Sequence, residues 1–268
     1  MRAYVAAFAS AALVLSPRMS ASAGKRGLAS SASDPPVPRR KGSSAAVSSR
    51  PPSAKSPKKP KPSTDEADKA WFDFFVGVNE EYRRYMREEW GVEKRGDQPL
   101  FEKLCLEGAQ AGLSWATILK KRAAYRRDFK DFDIEYCAGM TEAEIEPLLG
   151  DSRSGADCIV RHKGKVLSVV NNAKAVLALQ REAAACGSPP PPHGYFDQFL
   201  WEFVGGSPKL HSRSPGDPFP TKDDVSEAMS RALKKRGFTF VGPTICYSFM
   251  QSCGLIVGEE PWRPFVEH

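Results

Sequence analysis

The sequence has no CxxC pair among its six cysteines, which are Cys105, Cys137, Cys158, Cys186, Cys246 and Cys253. The last two fall seven residues apart on one predicted helix, where about 10 Å of helical rise excludes a disulfide between them. Apolar or helical neighbours surround four of the six, as is typical of small core residues. This pattern favours a reducing compartment over a secreted, disulfide-linked protein.

The sequence also lacks stretches that alternate convincingly between apolar and polar residues, as an amphipathic strand does. From Asp68 onward, apolar residues recur every three or four positions, which is the period of a helix. We therefore predict one all-α domain of about seven to nine helices, with no internal repeat.

Local signals place several of these helices. Thr141 and Glu144 form a predicted capping box that opens a short helix ending near Gly150. We also predict a long amphipathic helix over residues 165–181 and, after four consecutive prolines, a helix over residues 196–203. A further helix is predicted to begin after the cap residue Thr221 and to end at Gly237.

Acidic residues are almost missing from residues 1–64, which hold twelve Lys or Arg and one acid, Asp34. The net charge of this stretch is 12 − 1 = +11, whereas residues 65–268 hold 39 − 12 = 27 basic and 32 − 1 = 31 acidic residues, a net charge of −4. We predict a disordered basic targeting and linker tail over 1–64 and a helical domain over 65–268. That domain can bind a polyanion only through local patches, because its overall field is not positive.

The composition of the tail indicates a targeting segment followed by a linker. Residues 1–33 are rich in Arg, Ser and Ala without an acidic residue, as in organelle transit peptides, so we expect a mitochondrial or plastid protein. Residues 4–16 are also apolar enough for a short signal-peptide core but too short to span a bilayer, and we expect no membrane partner. Basic clusters at 39–41 and 55–61 leave open nuclear import, loose DNA contact or a merely solvated linker.

The most informative segment of the chain is residues 100–115. It has the pattern of an apolar helix with a carboxylate, Glu107, where a soluble helix ordinarily buries hydrocarbon. The small residues Ala111 and Gly112 leave room near the backbone, and Trp115 offers a flat aromatic surface. A buried acceptor beside a stacking platform is what recognition of a planar heterocycle needs. The alternative is a buried glutamate that backbone amides satisfy.

A second segment, residues 233–254, has the pattern helix, tight turn, helix, with Gly237 and Gly242 on either side of the turn. Glycines let such a turn approach DNA, and free amides at the start of the second helix can meet a phosphate. Three basic residues lie beside the turn, namely Lys234, Lys235 and Arg236. Taken alone, the pattern favours a structural hairpin with a solvated run of charge.

These two segments, together with residues 81–91, 120–126 and 159–166, closely resemble the DNA-3-methyladenine glycosylase I family in order and spacing. The resemblance runs from about Tyr82 to about Leu255, and its most specific part is the run 232–255. It implies a helix-hairpin-helix enzyme without a cofactor that flips 3-methyladenine out of double-stranded alkylated DNA and hydrolyses its N-glycosidic bond. We expect a monomer. The alternative is a helix-hairpin-helix DNA-binding protein with impaired catalysis.

The resemblance also implies roles for pocket residues. Glu107 is expected to accept hydrogen bonds from the adenine edge and to favour the cationic base, and Trp115 is expected to stack on that base. Tyr85, together with Tyr82, is expected to close the other side of the pocket. Gln110 is expected to orient Glu107 or to line the site. The core-packing alternative stays open for each of the aromatic residues.

For DNA itself, the resemblance implies that Gly112 and Leu113 press into the duplex where the nucleotide leaves. The expected hairpin contacts are Lys234, Lys235, Arg236, Gly237 and Gly242. Many members of the wider superfamily carry a catalytic aspartate just beyond the hairpin. Glu259 and Glu260 follow it here, but they precede a proline, and we interpret them as surface residues.

One departure from the family concerns metal. Its well-studied members join the chain ends with zinc held by two cysteines and two histidines, and the histidine expected after Tyr85 is Met86 here. No cysteine precedes Tyr82 in the predicted domain, and no histidine or cysteine follows Cys253 until His268. Four tetrahedral ligands cannot be assembled from these residues, so we predict no zinc, with apolar packing in its place.

Overall fold

The computed structural model describes residues 79–150, 152–187, 189–211 and 220–258. Within these ranges the chain forms nine α-helices and two short strands. The predicted boundary at residue 65, the tail before it, and Glu259 and Glu260 lie outside the described residues.

The helices, in chain order, are α1 (Glu80–Glu88), α2 (Asp97–Gln110), α3 (Trp115–Asp128), α4 (Ile134–Gly139), α5 (Glu142–Leu149), α6 (Lys163–Ala185), α7 (Tyr195–Trp201), α8 (Asp224–Lys235) and α9 (Pro243–Ser252). Short 3-10 turns occupy Lys130–Phe132, Gly155–Asp157 and Glu202–Val204. Strands β1 (Lys209–His211) and β2 (Ile256–Gly258) pair in parallel. The all-α prediction is confirmed. The strand pair went unpredicted because three residues per strand are too few to show an alternating pattern.

The predicted helix ends are partly right. The Thr141 amide donates to Glu144 Oε2 at 2.8 Å, which confirms the capping box of α5. The predicted cap Thr221 was wrong, because Asp223 accepts from the Ser226 amide at 2.7 Å and begins α8 two residues later. Aspartate caps a helix at least as well as threonine, so Asp223, two residues after Thr221, sets the start of α8.

Helix α2 forms the centre of the core and contacts α3, α6, α7 and α9. Nine of its fourteen residues are buried, including Phe101, Leu104 and Leu106. Burying one large apolar side chain contributes about 1.5–3 kcal/mol, so α2 is held firmly by its neighbours. A carboxylate on the inner part of this helix must therefore find partners inside the protein, since water does not reach it.

Helices α8 and α9 pack against each other, and hydrogen bonds join the turn between them to α6. The Asn172 side chain accepts from the Thr239 amide at 2.8 Å and donates to the Thr239 carbonyl at 3.1 Å. On the other side, a Cβ added to Gly108 would lie 3.1 Å from Phe240 Cβ, so glycine lets the turn pack against α2. The hairpin predicted from residues 233–254 is thus present and lies next to the helix that carries Glu107.

All six cysteines lie in the described ranges and are free thiols. Five of them are buried, and Cys186 is exposed. No helix of the described residues is both long enough and apolar enough to cross a bilayer.

Candidate active site

Glu107 begins the last turn of α2, and its side chain is 2% exposed. Two side chains contact its carboxylate. Lys103 Nζ lies 3.0 Å from Oε1, and the Ser252 hydroxyl at the end of α9 donates to the same oxygen at 3.1 Å. The contacts seen in the described residues therefore come from side chains, in contrast to the alternative in which backbone amides satisfy a structural glutamate.

Aromatic side chains from α1 and α3 line the space beside this carboxylate. The ring centroids of Tyr85 and Trp115 lie 5.3 Å apart, and those of Tyr82 and Tyr85 lie 6.2 Å apart. All three residues are buried. Together with Glu107, they form the cluster of side chains at which the sequence predicts binding of the base, and we call this cluster the base pocket.

The tyrosines of the base pocket stay protonated. Burial, and secondarily the charge of Glu107, raises the pKa of Tyr82 and holds the pKa of Tyr85 well above its ordinary value. Both hydroxyl groups can therefore donate a hydrogen bond throughout the neutral range. Such a pair of phenols suits a site that must bind a polar planar ligand without changing its own charge.

Lys103 also belongs to this pocket, although it is not among the residues predicted from the sequence. Its ammonium donates to the Tyr85 hydroxyl at 2.6 Å and lies 3.7 Å from the centroid of the Trp115 ring. The predicted buried carboxylate is present, but the apolar pattern of α2 gave no indication that Lys103 is buried beside it. A signal was available, because Lys103 and Glu107 are four residues apart and so share one face of a helix.

Trp115 combines a stacking face with an available donor. Its Nε1 atom is buried and has no hydrogen-bond partner in the described part of the chain. Buried donors without a partner are uncommon and unfavourable, so each one calls for an explanation. A ligand acceptor in the base pocket would supply the missing partner.

The turn from α2 to α3 carries the remaining predicted pocket and wedge residues. Gln110, the last residue of α2, is half-buried, and its carbonyl accepts from the Leu113 amide at 2.6 Å. Gly112 is exposed with a left-handed φ of 75°, and Leu113 is half-buried. Lys165 fixes the start of this turn, because its ammonium donates to the carbonyls of Ala109 at 2.8 Å and Ala111 at 2.6 Å.

The predicted DNA-contact residues lie on the exposed surface at the hairpin turn. Lys234 and Lys235 are exposed, whereas the Arg236 guanidinium lies 2.7 Å from Glu182 of α6 and is thereby engaged in an ion pair. This ion pair holds the Arg236 side chain toward α6. The exposed ammonium groups of Lys234 and Lys235 are therefore more accessible to a phosphate than the Arg236 guanidinium is.

The two hairpin glycines differ in backbone conformation. Gly237 has a φ of 87°, which favours glycine, but Gly242 has a φ of −64° and precedes α9 in ordinary backbone geometry. A left-handed backbone therefore favours glycine at Gly237 only, and the approach of both glycines to DNA stays a prediction. Phe240 takes the second left-handed position, with a φ of 55°. An added Cβ at Gly242 would meet no atom within 4 Å, so that position is open toward the surface.

The described residues do not fit the zinc clip of the family. Met86, at the position of the expected histidine, is 3% exposed and packs in the apolar core. Zinc sites in proteins take Cys, His, Asp or Glu as ligands, and methionine is not one of them. Among the residues from 79 to 258 that the structure describes, no three His, Cys, Asp or Glu come together as a metal site would require. His268 and Trp71, which belongs to the apolar packing predicted in place of zinc, lie outside the described residues.

A helical hairpin packed beside a buried carboxylate and three aromatic rings defines a helix-hairpin-helix DNA glycosylase. The comparison with known families agrees, since residues 75–260 match the family model described as methyladenine glycosylase. The chain belongs to this family.

Individual relatives are similar over most of their own length. The chain is 45% identical over 175 residues to DNA-3-methyladenine glycosylase 1 of Escherichia coli (strain K12), covering 65% of this chain and 86% of that protein. It is 44% identical over 182 residues to DNA-3-methyladenine glycosylase of Haemophilus influenzae, covering 68% and 90%. A structure of 3-methyladenine DNA glycosylase I from Staphylococcus aureus superimposes with a TM-score of 0.59 at 35% identity, covering 69% of this chain and 91% of that one.

Proposed function

We propose that this protein is a DNA-3-methyladenine glycosylase that removes the alkylated base from double-stranded DNA in base-excision repair. The observation that carries the proposal is the buried Glu107 carboxylate beside the Trp115 and Tyr85 rings. A DNA-binding module without catalysis would have no use for such a pocket. Family membership and the named relatives support the same reaction.

The chemistry of the lesion matches what the base pocket offers. Methylation at N3 makes the base cationic within the nucleotide, and a cation is attracted by the Glu107 carboxylate and by aromatic faces. The bond from C1′ to N9 breaks, its electron pair passes to the base, which leaves neutral, and water adds to C1′ with release of a proton. Because this base is already a good leaving group, much of the acceleration can come from binding the flipped nucleotide.

Each wall of the pocket has a distinct task in this proposal. Trp115 stacks on the flipped base, and its unpartnered Nε1 donates to an acceptor on the base edge. Glu107 accepts from the adenine amino group. Tyr82 and Tyr85 close the opposite side as neutral phenols. Gln110, the last residue of α2, orients Glu107 or lines the site in this proposal.

DNA is held by the turn and hairpin that border the pocket. The exposed Gly112 and the adjoining Leu113 enter the duplex where the nucleotide leaves, and Lys165 keeps their turn in place. The first-turn amides of α9 face a phosphate, since a helix N-terminus attracts anions. Exposed Lys234 and Lys235 add local charge to a domain whose own balance is −4.

The proposal is tested by incubating the protein with methylated duplex DNA and measuring released 3-methyladenine by chromatography. We expect release well above a heat-inactivated control, and loss of that release in Glu107→Gln. Binding of the duplex without release of the base would instead favour the alternative, a DNA-binding protein with impaired catalysis.

We also propose that the protein acts in a mitochondrion or plastid, with the nucleus as the alternative. The transit-like composition of residues 1–33 supports import into an organelle, and the basic clusters at 39–41 and 55–61 support the nucleus. Sequencing the N-terminus of the protein isolated from its own cells separates the two, because import into an organelle removes the leader.

A further inference from the structure

Lys103 is a buried charged group of the base pocket that the proposed reaction leaves without a role. Its side chain is 7% exposed. The ammonium contacts the Glu107 carboxylate at 3.0 Å and the Tyr85 hydroxyl at 2.6 Å, and it lies 3.7 Å from the Trp115 ring centroid. All three neighbours are groups that the proposed function assigns to the base.

The ammonium and a cationic base therefore compete for one position. A group 3.7 Å above the Trp115 ring covers the face of the ring that lies beside Glu107, and a base cannot stack on that face while the group is there. In addition, two positive charges at a buried site repel each other strongly, because little screening remains there. A cationic base placed between Glu107 and this face of Trp115 therefore meets the charge of Lys103.

Other titratable groups face Lys103 from α1 and from the end of α9. Burial holds the pKa values of Tyr82 and Tyr85 above their ordinary range, and burial raises the pKa of the Cys253 thiol to about 12. These three groups therefore keep their protons in mildly alkaline solution. Glu89 also contributes charge, but it pairs with Arg122 at 2.6 Å.

Lys103 itself is easier to deprotonate than an ordinary lysine. Burial lowers its pKa, and Glu107 opposes this effect without cancelling it. Its neutral amine would still be satisfied where it lies, because it could accept from the Tyr85 hydroxyl and donate to Glu107. Loss of one proton therefore removes the competing charge without removing the side chain.

We propose that Lys103 controls the entry of the base: its ammonium fills the cation position between Glu107 and the Trp115 ring, and it must release its proton to solvent before a cationic base can take that position. This inference rests on the proposed function, since it assumes that the ligand is a cationic purine. It makes binding of the cation and binding of the lysine proton mutually exclusive.

The test uses a purine whose charge does not depend on the loss of a ring proton. In the 3,9-dimethyladeninium ion, a methyl group replaces the sugar at N9, so the ring stays cationic as it does in the damaged nucleotide. Its affinity is measured by calorimetric titration between about pH 7 and pH 9 for the full chain and for Lys103→Met, Lys103→Arg and Glu107→Gln.

Three different pH profiles are expected. The unaltered protein should bind more tightly as the pH rises, by up to about tenfold per pH unit below the pKa of Lys103. Lys103→Met should bind more tightly than the unaltered protein at neutral pH and show no such dependence. Lys103→Arg should bind weakly throughout, because a guanidinium keeps its charge.

The outcomes separate this inference from the proposed function. One outcome contradicts only the role of Lys103: the unaltered protein binds the cation through Glu107, its affinity does not change with pH, and Lys103→Met binds no more tightly. The assignment of the base pocket would then remain valid. If the cation does not bind, or Glu107→Gln binds it equally well, the pocket assignment fails and this inference fails with it. If Lys103→Met does not fold, the pH profiles of the unaltered protein and of Lys103→Arg still show whether the Lys103 charge opposes binding of the cation.

Discussion

Lys103 and Glu107 form an ion pair of 3.0 Å on the inner face of α2, with side chains only 7% and 2% exposed. A buried carboxylate is unfavourable unless it is paired and hydrogen-bonded, and here one lysine and one serine hydroxyl meet that need before any ligand arrives. The base pocket is therefore electrically balanced in its free state. In our proposal, a cationic base has to replace this internal cation instead of filling an empty negative site.

Replacing Glu107 by glutamine should leave the fold intact but remove most of the affinity for 3-methyladenine and most of its release from DNA. Charge-assisted contacts of this kind typically contribute about 1.5–3 kcal/mol, which corresponds to a loss of roughly ten- to a hundredfold. Titration with the free base and a release assay on methylated duplex measure the two effects. Equal affinity in both proteins would remove Glu107 from the site.

Lys165→Met should weaken excision from duplex DNA more than it weakens binding of the free base. Its ammonium holds the Ala109 and Ala111 carbonyls at the start of the Gly112–Leu113 turn, which meets DNA in our proposal. Leaving those carbonyls unsatisfied should also lower the free energy of unfolding by about 1–3 kcal/mol. Urea unfolding and the two activity measurements test this, with Lys165→Arg as the matched control that keeps the charge. Equal losses in both activities would contradict a role specific to the turn.

The free energy of unfolding should rise with pH through the contribution of Lys103. Burial holds its folded-state pKa below the ordinary 10.5, so the unfolded chain binds more protons between those two values. Stability from this residue is therefore fully present above 10.5 and is lost as the pH falls through the lowered pKa. Urea unfolding at several pH values, compared with Lys103→Met, isolates this effect. An identical pH slope in both proteins would show that Lys103 titrates normally.

We predict that the purified protein contains no stoichiometric zinc and that a chelator leaves its melting temperature unchanged. The reason is that Met86 packs in the core at the position of an expected histidine ligand, and zinc sites use Cys, His, Asp or Glu instead of methionine. Elemental analysis measures the zinc content, and thermal melting with and without a chelator measures any contribution of bound metal to stability. Near-equimolar zinc would mean that residues outside the described ranges supply the ligands.

Removing residues 1–64 should leave folding and base excision intact. These residues carry a net charge of +11 beside a domain of −4, so they should add non-specific DNA affinity that fades as salt increases. The full chain and a chain beginning at residue 65 are compared in DNA binding and base release at low and physiological salt. A shortened chain that is unfolded, or inactive at both salts, would show that the domain boundary at 65 is wrong.

The sequence by itself determined the features that depend on neighbours along the chain. Helical periodicity predicted the fold class, and the spacing of Thr141 and Glu144 predicted a cap, because such signals lie within one or two helical turns. The resemblance carried by residues 100–115 and 232–255 also pointed to the pocket residues Glu107 and Trp115. These positions are recognisable because a carboxylate stands out within a mostly apolar helix and an aromatic ring follows directly after the turn that ends it.

The tertiary structure decided which groups meet across the chain. Ser252 donates to Glu107 from 145 residues away, Lys165 reaches the end of α2 from α6, and Phe240 takes a left-handed conformation where it packs on Gly108. No local pattern encodes such pairs, because their free energy depends on which elements pack together. Even Lys103, four residues from Glu107, could have pointed to solvent, and only the burial of that face of α2 turns the pair into part of the pocket.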